Sequence, residues 1–423
     1  MKIKMKKLPL EKAMAIEPPA RKKLGRPWFL FKLLIRLLSL PDLWATKFSY
    51  TSERMDKAKG PCLYLMNHSS FIDLKIASRL LFPKSYYIVS TTDGFVGKEW
   101  LMRRIGCIPT QKFVLDVALT RDMLRAVKEK KRSVLLFPEA GYTFDGCTTT
   151  LPKKLGMLLK KMDVPVVSII TDGAFLRQPL YNELRLRKTK TSAHMKCLLT
   201  REEIAEKSVE ELDAIINEAF SFDNFRKQAE SKTVIDSPDR AVGLQRLLYR
   251  CADCGAEGEM TTAGSKITCQ KCGKSYELDI YGQLRAVEGE TKFSHIPDWY
   301  RWQRECVRRE IEAGEYRQDL DVDIVLLVDY KALYSVGGGR LVHDENGFVL
   351  TDENGKEIFT QSPLASYGLN SDYYWYELGD VICIGNKKRL FYCFPKQKDV
   401  VTKARLAAEE TYKLLKTNAR TAP

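Results

Sequence analysis

No run of 18 apolar residues occurs anywhere in the 423-residue chain, so a conventional membrane-spanning helix is excluded. Lys, Leu and Pro are interspersed through the first 26 residues, with no continuous apolar stretch; no secretory signal is expected there, and a cytoplasmic protein is. No internal repeat with a convincing period is present. Histidine is scarce, with four in all, at 68, 194, 295 and 343, so any imidazole chemistry has few places to reside. The hydrophobic fraction of 44% and charged fraction of 29% exclude wholesale disorder, collagen and coiled coil. At roughly 100–200 residues per domain, the length predicts two to four domains.

The formal charge of +15 is uneven. Residues 1–60 carry a net +10, 61–284 a net +7 and 285–423 a net −2. A basic front half points to an anionic partner, either a membrane surface with anionic lipids or nucleic acid. Of eleven cysteines, seven are scattered (62, 107, 147, 197, 306, 383 and 393) and mostly flanked by apolar residues. They read as reduced thiols of a core in a reducing compartment.

Four units are expected. Residues 1–60 form a basic arm, with 1–27 poorly ordered, followed by a helix over 28–40 (WFLFKLLIRLLSL) that Pro41 stops. Lys32, Arg36 and Ser39 share one stripe of that helix and the rest is Trp, Phe, Leu and Ile. At about 20 Å it is too short to span a bilayer. It reads as lying in the interface with its cations reaching lipid headgroups, the alternative being a helix packed on its own domain. Residues 61–235 alternate short apolar runs (PCLYLMN, YYIVS, SVLLFPE, VPVVSII) with helical patterns. That predicts an α/β domain with a largely parallel sheet, which binds ligands beyond the carboxyl ends of its strands. One or two helices are expected over 202–230. Residues 236–290 hold paired CxxC motifs, and 291–423 read as a Trp-rich helix, a mostly-β region and a closing helix.

The strongest catalytic pattern is NHSSFID, Asn67 to Asp73. His68 lies one residue beyond the apolar run CLYLM, at the end of a predicted strand. Ser70 reads as a helix N-cap and Asp73 as the third helical position. A carboxylate one loop away from a His can fix its tautomer and stabilise the imidazolium once it takes a proton. The plainer alternative is a capping Asp beside an incidental His.

NHSSFID resembles the NHxxxxD motif of the 1-acyl-glycerol-3-phosphate acyltransferase family of lysophospholipid acyltransferases. The resemblance continues in order through GKEWLMRRIGCIPTQK (Gly97–Lys112), FPEAGYTFDG (Phe137–Gly146) and VPVVSI (Val164–Ile169). It implies acyl transfer from acyl-CoA or acyl carrier protein to the free hydroxyl of a lysophospholipid, with 1-acyl-glycerol-3-phosphate as the leading acceptor. His68 would be the general base and Asp73 its orienting partner. Asn67, Lys98, Lys112, Glu139 and Gly141 would contact substrate, and backbone N–H groups near the His68 loop would hold the oxyanion. Two departures matter. The phosphate-binding Arg that ends the second block is Lys112 here, which lacks the bidentate fork. The Gly-Thr-Arg of the third block is Ala140, Gly141 and Tyr142, which removes a cation; Lys98, Arg103 or Arg104 would have to compensate.

The spacing C-x2-C-x14-C-x2-C, with Cys251, Cys254, Cys269 and Cys272 and a Gly after each pair, is that of a closed tetrahedral zinc site of structural role. It resembles a zinc ribbon. Few aromatics or arginines lie between the knuckles, so nucleic acid is not the expected partner. Trp299, Trp302 and Cys306 share a helical face, read first as packing on a neighbouring domain and second as a membrane contact. The last hundred residues have the element order of a pleckstrin-homology-like unit. The reading that follows is a peripheral acyltransferase on the inner face of a membrane. Its rivals are a noncatalytic lipid-binding scaffold of the same fold and a nucleic-acid-binding zinc-ribbon protein.

Overall fold

Continuous apolar runs bury both faces of a strand, and this chain builds its first sheet from them. The computed structural model describes the backbone of residues 3–114 and 116–421, with side chains to 417. A seven-stranded sheet runs in the order Ser49–Glu53, Ser192–Leu199, Val166–Asp172, Leu63–Met66, Ser133–Leu136, Tyr86–Thr91, Cys107–Thr110. All its pairings are parallel except that between Val166–Asp172 and Ser192–Leu199. Its edge strand Ser49–Glu53 lies ahead of residue 61, where the sequence pattern places the start of this unit. Helices Asp73–Leu81, Val117–Lys128 and Leu155–Met162 connect the parallel strands. Three short helices fill 201–230, because Lys207 and the Phe220–Asp223 segment interrupt the run. Two of them start with capping boxes, Thr200 with Glu203 and Ser208 with Glu211.

The second half shares one core. A four-stranded antiparallel sheet, Met260–Ala263 to Leu284–Ala286, carries the CxxC knuckles. A further sheet is antiparallel along the order Glu357–Gln361, Gly347–Asp352, Leu333–Asp344, Gln318–Leu327, Leu390–Pro395, Gly379–Gly385, Asn370–Trp375, two runs of consecutive strands joined by the pairing of Gln318–Leu327 with Leu390–Pro395. Helices Ile296–Glu312 and Val401–Thr421 pack together through Arg304, which pairs with Glu409 and Glu410 at 2.7 and 2.9 Å. One apolar cluster contains Tyr276 of the small sheet, Trp299, Phe391 of the large sheet and Leu406. Trp299 is fully buried, its indole N–H donating to the Arg250 carbonyl at 2.9 Å. It is therefore a packing residue, and the membrane alternative for this helix fails at that position. His343 lies in the strand Leu333–Asp344. There it is buried, stacked on Phe348, and burial lowers its pKa to about 3.

The basic arm is ordered, contrary to the expectation for 1–27. Met5–Lys7 adds as a parallel strand to Leu333–Asp344, and Leu10–Met14 is helical. Arg21 then pairs with Asp122 at 2.7 Å and Asp116 at 3.0 Å. The arm thus straps the C-terminal sheet to the α/β unit.

The following helix is Phe29–Ala45, and Pro41 lies within it. Pro41 removes one backbone donor, yet the last turn persists because Asp42 is held from outside by Arg177 at 2.8 Å and by Lys75. Its orientation reverses the expectation for its cations. Lys32 and Ser39 face inward and are buried, the Lys32 ammonium donating to the Tyr86 carbonyl at 2.7 Å and lying 3.4 Å from the Tyr86 ring centroid. Leu30, Leu34, Leu37, Leu38 and Trp44 face outward, Trp44 being 71% exposed. Phe71 and Leu74 of the neighbouring loop and helix are exposed too. No helix among the described residues is long and apolar enough to cross a membrane.

Candidate active site

The carboxyl ends of the parallel strands converge on one edge of the sheet. His68 follows Leu63–Met66, Asp93 follows Tyr86–Thr91, Lys112 follows Cys107–Thr110 and Glu139 follows Ser133–Leu136. That is where open α/β sheets bind ligands.

His68 is held from four directions. Its ring Nδ1 lies 3.1 Å from Asp73 Oδ2. The same carboxylate oxygen accepts the Ser69 and Ser70 backbone N–H groups at 2.7 and 3.0 Å. An ionised carboxylate only accepts, so the ring proton sits on Nδ1 and Nε2 keeps a free lone pair. The His68 backbone N–H donates to Glu139 Oε2 at 2.8 Å, and its carbonyl accepts the Thr143 N–H at 3.2 Å. The ring is sandwiched between Phe137 and Tyr142, with centroids 4.2 and 4.0 Å away. Burial lowers the imidazole pKa, opposed by Asp73 and assisted by the charge of Lys112. The ring is therefore neutral at pH 7, as a base must be.

Several expected roles change. Ser70 does not cap the helix, which begins at Asp73; the Ser70 hydroxyl is buried without a hydrogen-bond partner. The Asp73 carboxylate takes the loop N–H groups instead. The N–H groups of residues 68, 69 and 70 are all consumed by Glu139 and Asp73, so none of them is free for an oxyanion. Asn67 is fully buried. Its side-chain oxygen accepts the Thr171 N–H and hydroxyl at 2.8 and 3.1 Å, and its NH2 donates to Ser69 Oγ at 3.1 Å. Asn67 locks the His68 loop to the adjacent strand and leaves nothing for substrate. Glu139 is likewise buried, its second oxygen accepting the Thr149 N–H and hydroxyl at 3.1 and 3.2 Å. Burial raises its pKa to about 7, against those hydrogen bonds. It clamps the loop to the segment at Thr149.

The charge of Lys112 is felt by the His68 imidazole, while Lys98 sits at the start of helix Glu99–Ile105 beside the segment that binds Tyr330. Arg103 pairs with Glu99 at 2.7 Å and the Arg104 guanidinium stacks on Trp28 at 4.2 Å. These arginines do not replace the missing cation. Ala140 has φ 58°, in the left-handed region that glycine adopts without strain, which explains why the related motif places Gly there. Gly141 is buried, yet a Cβ there would meet nothing within 4 Å. Open space therefore adjoins its backbone.

Residues 47–172 match the family model described as Acyltransferase. Two curated plant proteins are similar over 136 residues. One is 1-acyl-sn-glycerol-3-phosphate acyltransferase BAT2, chloroplastic, of Brassica napus, 32% identical over 31% of this chain and 38% of the relative. The other is 1-acyl-sn-glycerol-3-phosphate acyltransferase LPAT1, chloroplastic, of Arabidopsis thaliana, 30% identical over 31% of this chain and 37% of the relative. The chain thus spans less than two fifths of the length of these relatives. Among solved structures, the 1-acyl-sn-glycerophosphate acyltransferase PlsC from Thermotoga maritima is 17% identical over 45% of this chain and 76% of its own, with a TM-score of 0.36. The matched region contains His68, Asp73, Lys112 and Glu139.

The third-block loop reaches into the C-terminal sheet, which no local sequence pattern announces. Phe144 stacks on Tyr373 at 4.2 Å, and the Arg405 guanidinium lies 4.1 Å from its ring centroid.

The four CxxC sulfurs lie within 4.8 Å of one another, with Cys251–Cys272 and Cys254–Cys269 each 3.7 Å apart. A tetrahedron of thiolates about 2.3 Å from zinc has edges of about 3.8 Å, so this donor set fits the ion. Gly255 and Gly273 have φ of 73° and 76° and turn the two knuckles.

Proposed function

We propose that the protein is a glycerolipid acyltransferase that moves a fatty acyl group from acyl-CoA or acyl carrier protein to the free hydroxyl of a lysophospholipid. The single observation that carries this reading is the His68–Asp73 pair, 3.1 Å apart on a clamped loop inside the region that matches the acyltransferase family. The names of the relatives point to 1-acyl-sn-glycerol-3-phosphate as the reference acceptor.

In this mechanism His68 Nε2 removes the acceptor's hydroxyl proton as the oxygen attacks the thioester carbonyl. The C–S bond breaks, the thiol leaves with a proton returned from His68, and an ester remains. Asp73 holds the ring and stabilises the transient imidazolium. Lys112, whose charge is felt by the base, takes the acceptor's phosphate. The open space beside Gly141 is where the acyl carbonyl sits.

The outward apolar face of Phe29–Ala45 supports attachment to a membrane surface, since exposed apolar area of this extent marks an interaction site. Phe71 carries that face to the His68 loop, so the base lies where a lysolipid is presented. The basic arm favours anionic lipids. The cluster of four cysteines holds a structural zinc, and the C-terminal pleckstrin-homology-like sheet is an accessory unit.

The test is lipid mass spectrometry of purified protein on liposomes, with acyl-CoA or acyl carrier protein and a panel of lysolipids. A diacyl product formed by the wild type and lost in His68→Ala is expected. No product from any pair of substrates would replace this reading with a lipid-binding scaffold.

A further inference from the structure

Residues 137–147 run past the base and then reach out of the α/β unit. Thr143 is buried and donates its backbone N–H to the His68 carbonyl at 3.2 Å. Tyr142 lies against the imidazole. The next residue, Phe144, is buried against the C-terminal unit, its ring centroid 4.2 Å from that of Tyr373 and 4.1 Å from the Arg405 guanidinium. The chain then returns to the α/β unit. There the Gly146 carbonyl accepts the Asn224 backbone N–H at 3.0 Å and its side-chain NH2 at 2.6 Å.

Both groups that hold Phe144 are themselves fixed. Arg405 is buried on helix Val401–Thr421, and its Nε donates to Glu409 at 3.2 Å. Glu409 also pairs with Arg304 of helix Ile296–Glu312 at 2.7 Å. The Tyr373 hydroxyl donates to the Arg246 carbonyl at 3.2 Å and meets the hydroxyl of Thr402, on the same helix as Arg405. A guanidinium over an aromatic ring is attracted by the ring's quadrupole, more strongly once both are withdrawn from water. Its planar fork, bound at one edge to a carboxylate, presents a fixed face to that ring. Phe144 is thus held in place as well as buried. Thr143 and Tyr142 are the two residues immediately before it, so a shift of the Phe144 backbone passes directly to both residues that touch His68. A misplacement of about 1 Å in a reacting geometry can cost about 10²-fold in rate.

We infer that the C-terminal unit completes the catalytic apparatus: Arg405, together with Tyr373, holds Phe144 and so sets Tyr142 and Thr143 against His68. Arg405 is a positioning residue, acting on the base through the loop. The inference rests on the acyl-transfer reading and adds to it a residue that lies outside the matched region.

The experiment compares full-length, zinc-replete wild type with Phe144→Leu, Arg405→Ala, Arg405→Lys and Leu350→Ala. Leu350 is buried in the strand Gly347–Asp352 and controls for lost stability alone. Two readings are taken, with thermal midpoints beside them. The first is kcat and KM with the best lysolipid acceptor. The second is the titration of His68 by NMR of protein carrying 13C-labelled histidine, its resonance identified by its loss in His68→Ala; this needs no turnover. Phe144→Leu and Arg405→Ala are expected to lose about 10–10²-fold in kcat with KM little changed. In both, water reaches the imidazole and His68 is expected to titrate at higher pH than in the wild type. Arg405→Lys keeps a cation beside the ring and is expected to recover most of both effects. Leu350→Ala is expected to lower the thermal midpoint and to move neither reading. An unmoved His68 titration in folded Phe144→Leu, or an equal shift in Leu350→Ala, overturns the inference. Arg405→Ala leaves Glu409 short of a partner; should it not fold, Phe144→Leu decides alone. If the wild type forms no product with any acceptor, acyl transfer falls, and the His68 titration still decides whether the C-terminal unit sets the loop.

Discussion

The Tyr142 ring lies against the His68 imidazole, centroids 4.0 Å apart and planes 34° from parallel, and Phe137 packs on the same imidazole at 4.2 Å and 30°. The ring is left with its two nitrogens, one turned to Asp73 and one available to a substrate. Burial is the leading cause of its lowered pKa, and Tyr142 contributes to that burial.

Removing Tyr142 therefore changes the pH profile. A base must be neutral to act, so activity falls as pH drops through the imidazole pKa. In Tyr142→Ala, water reaches the ring and its pKa climbs towards the ordinary value. The acid limb of log(kcat/KM) against pH is expected to move to higher pH. Tyr142→Phe keeps the stack and is expected to keep the wild-type limb. Rates measured from about pH 5 to 8, the range in which imidazoles titrate, with the best acceptor check both.

Asp73→Asn tests the partner. An amide cannot stabilise the imidazolium, and its NH2 donates where the carboxylate accepted. The loss expected in kcat is about 10²–10⁴-fold, the usual range for disabling a positioned base. KM is expected to change little, since Asp73 touches the ring and two loop N–H groups rather than substrate. Steady-state rates beside circular dichroism separate this from misfolding.

The pairing of His68 with Asp73 was legible in the sequence because both lie on one short loop, and the gathering of the four cysteines because their spacing is local. Side-chain direction was harder. A helical wheel separates the Lys32 and Ser39 stripe from the leucines, but it does not say which side meets the protein. Here the sheet accepts the polar stripe, because the Tyr86 carbonyl and ring receive the Lys32 ammonium. The clamping by Asn67 and Glu139 was not legible for a related reason: their partners, Thr171 and Thr149, are ordinary residues that no motif flags. The neighbours of Lys112 were invisible, since only the folded chain brings Asn370 and Tyr392 of the C-terminal sheet to it.

The outward face of Phe29–Ala45 makes a prediction about membranes. Withdrawing a leucine side chain from water contributes about 1.5–3 kcal/mol. Leu30→Glu and Leu38→Glu, both at exposed positions, are each expected to weaken binding to anionic liposomes at least tenfold, with thermal stability unchanged. Co-sedimentation against lipid concentration measures this. Lys32→Met is expected to leave liposome binding intact, because that side chain faces the sheet.

Lys32 also couples stability to pH. Burial lowers its pKa from 10.5 to about 7 in the folded chain. Between these values the unfolded chain holds a proton that the folded chain has released, so stability rises with pH. The limiting slope for one group is about 1.4 kcal/mol per pH unit. Cys107, beside Lys32, works the other way: burial raises its thiol to about 12 from 9.0, so it keeps its proton in the fold and lowers stability above about pH 9. Tyr86 acts in the same direction at still higher pH. Between about pH 7 and 8.5 both of these opposing groups stay largely protonated, so the difference between the wild type and Lys32→Met reads the lysine. Urea unfolding across it is expected to show a rising free energy for the wild type, and a flatter one for Lys32→Met. Equal slopes would mean that the ammonium keeps its charge inside the fold.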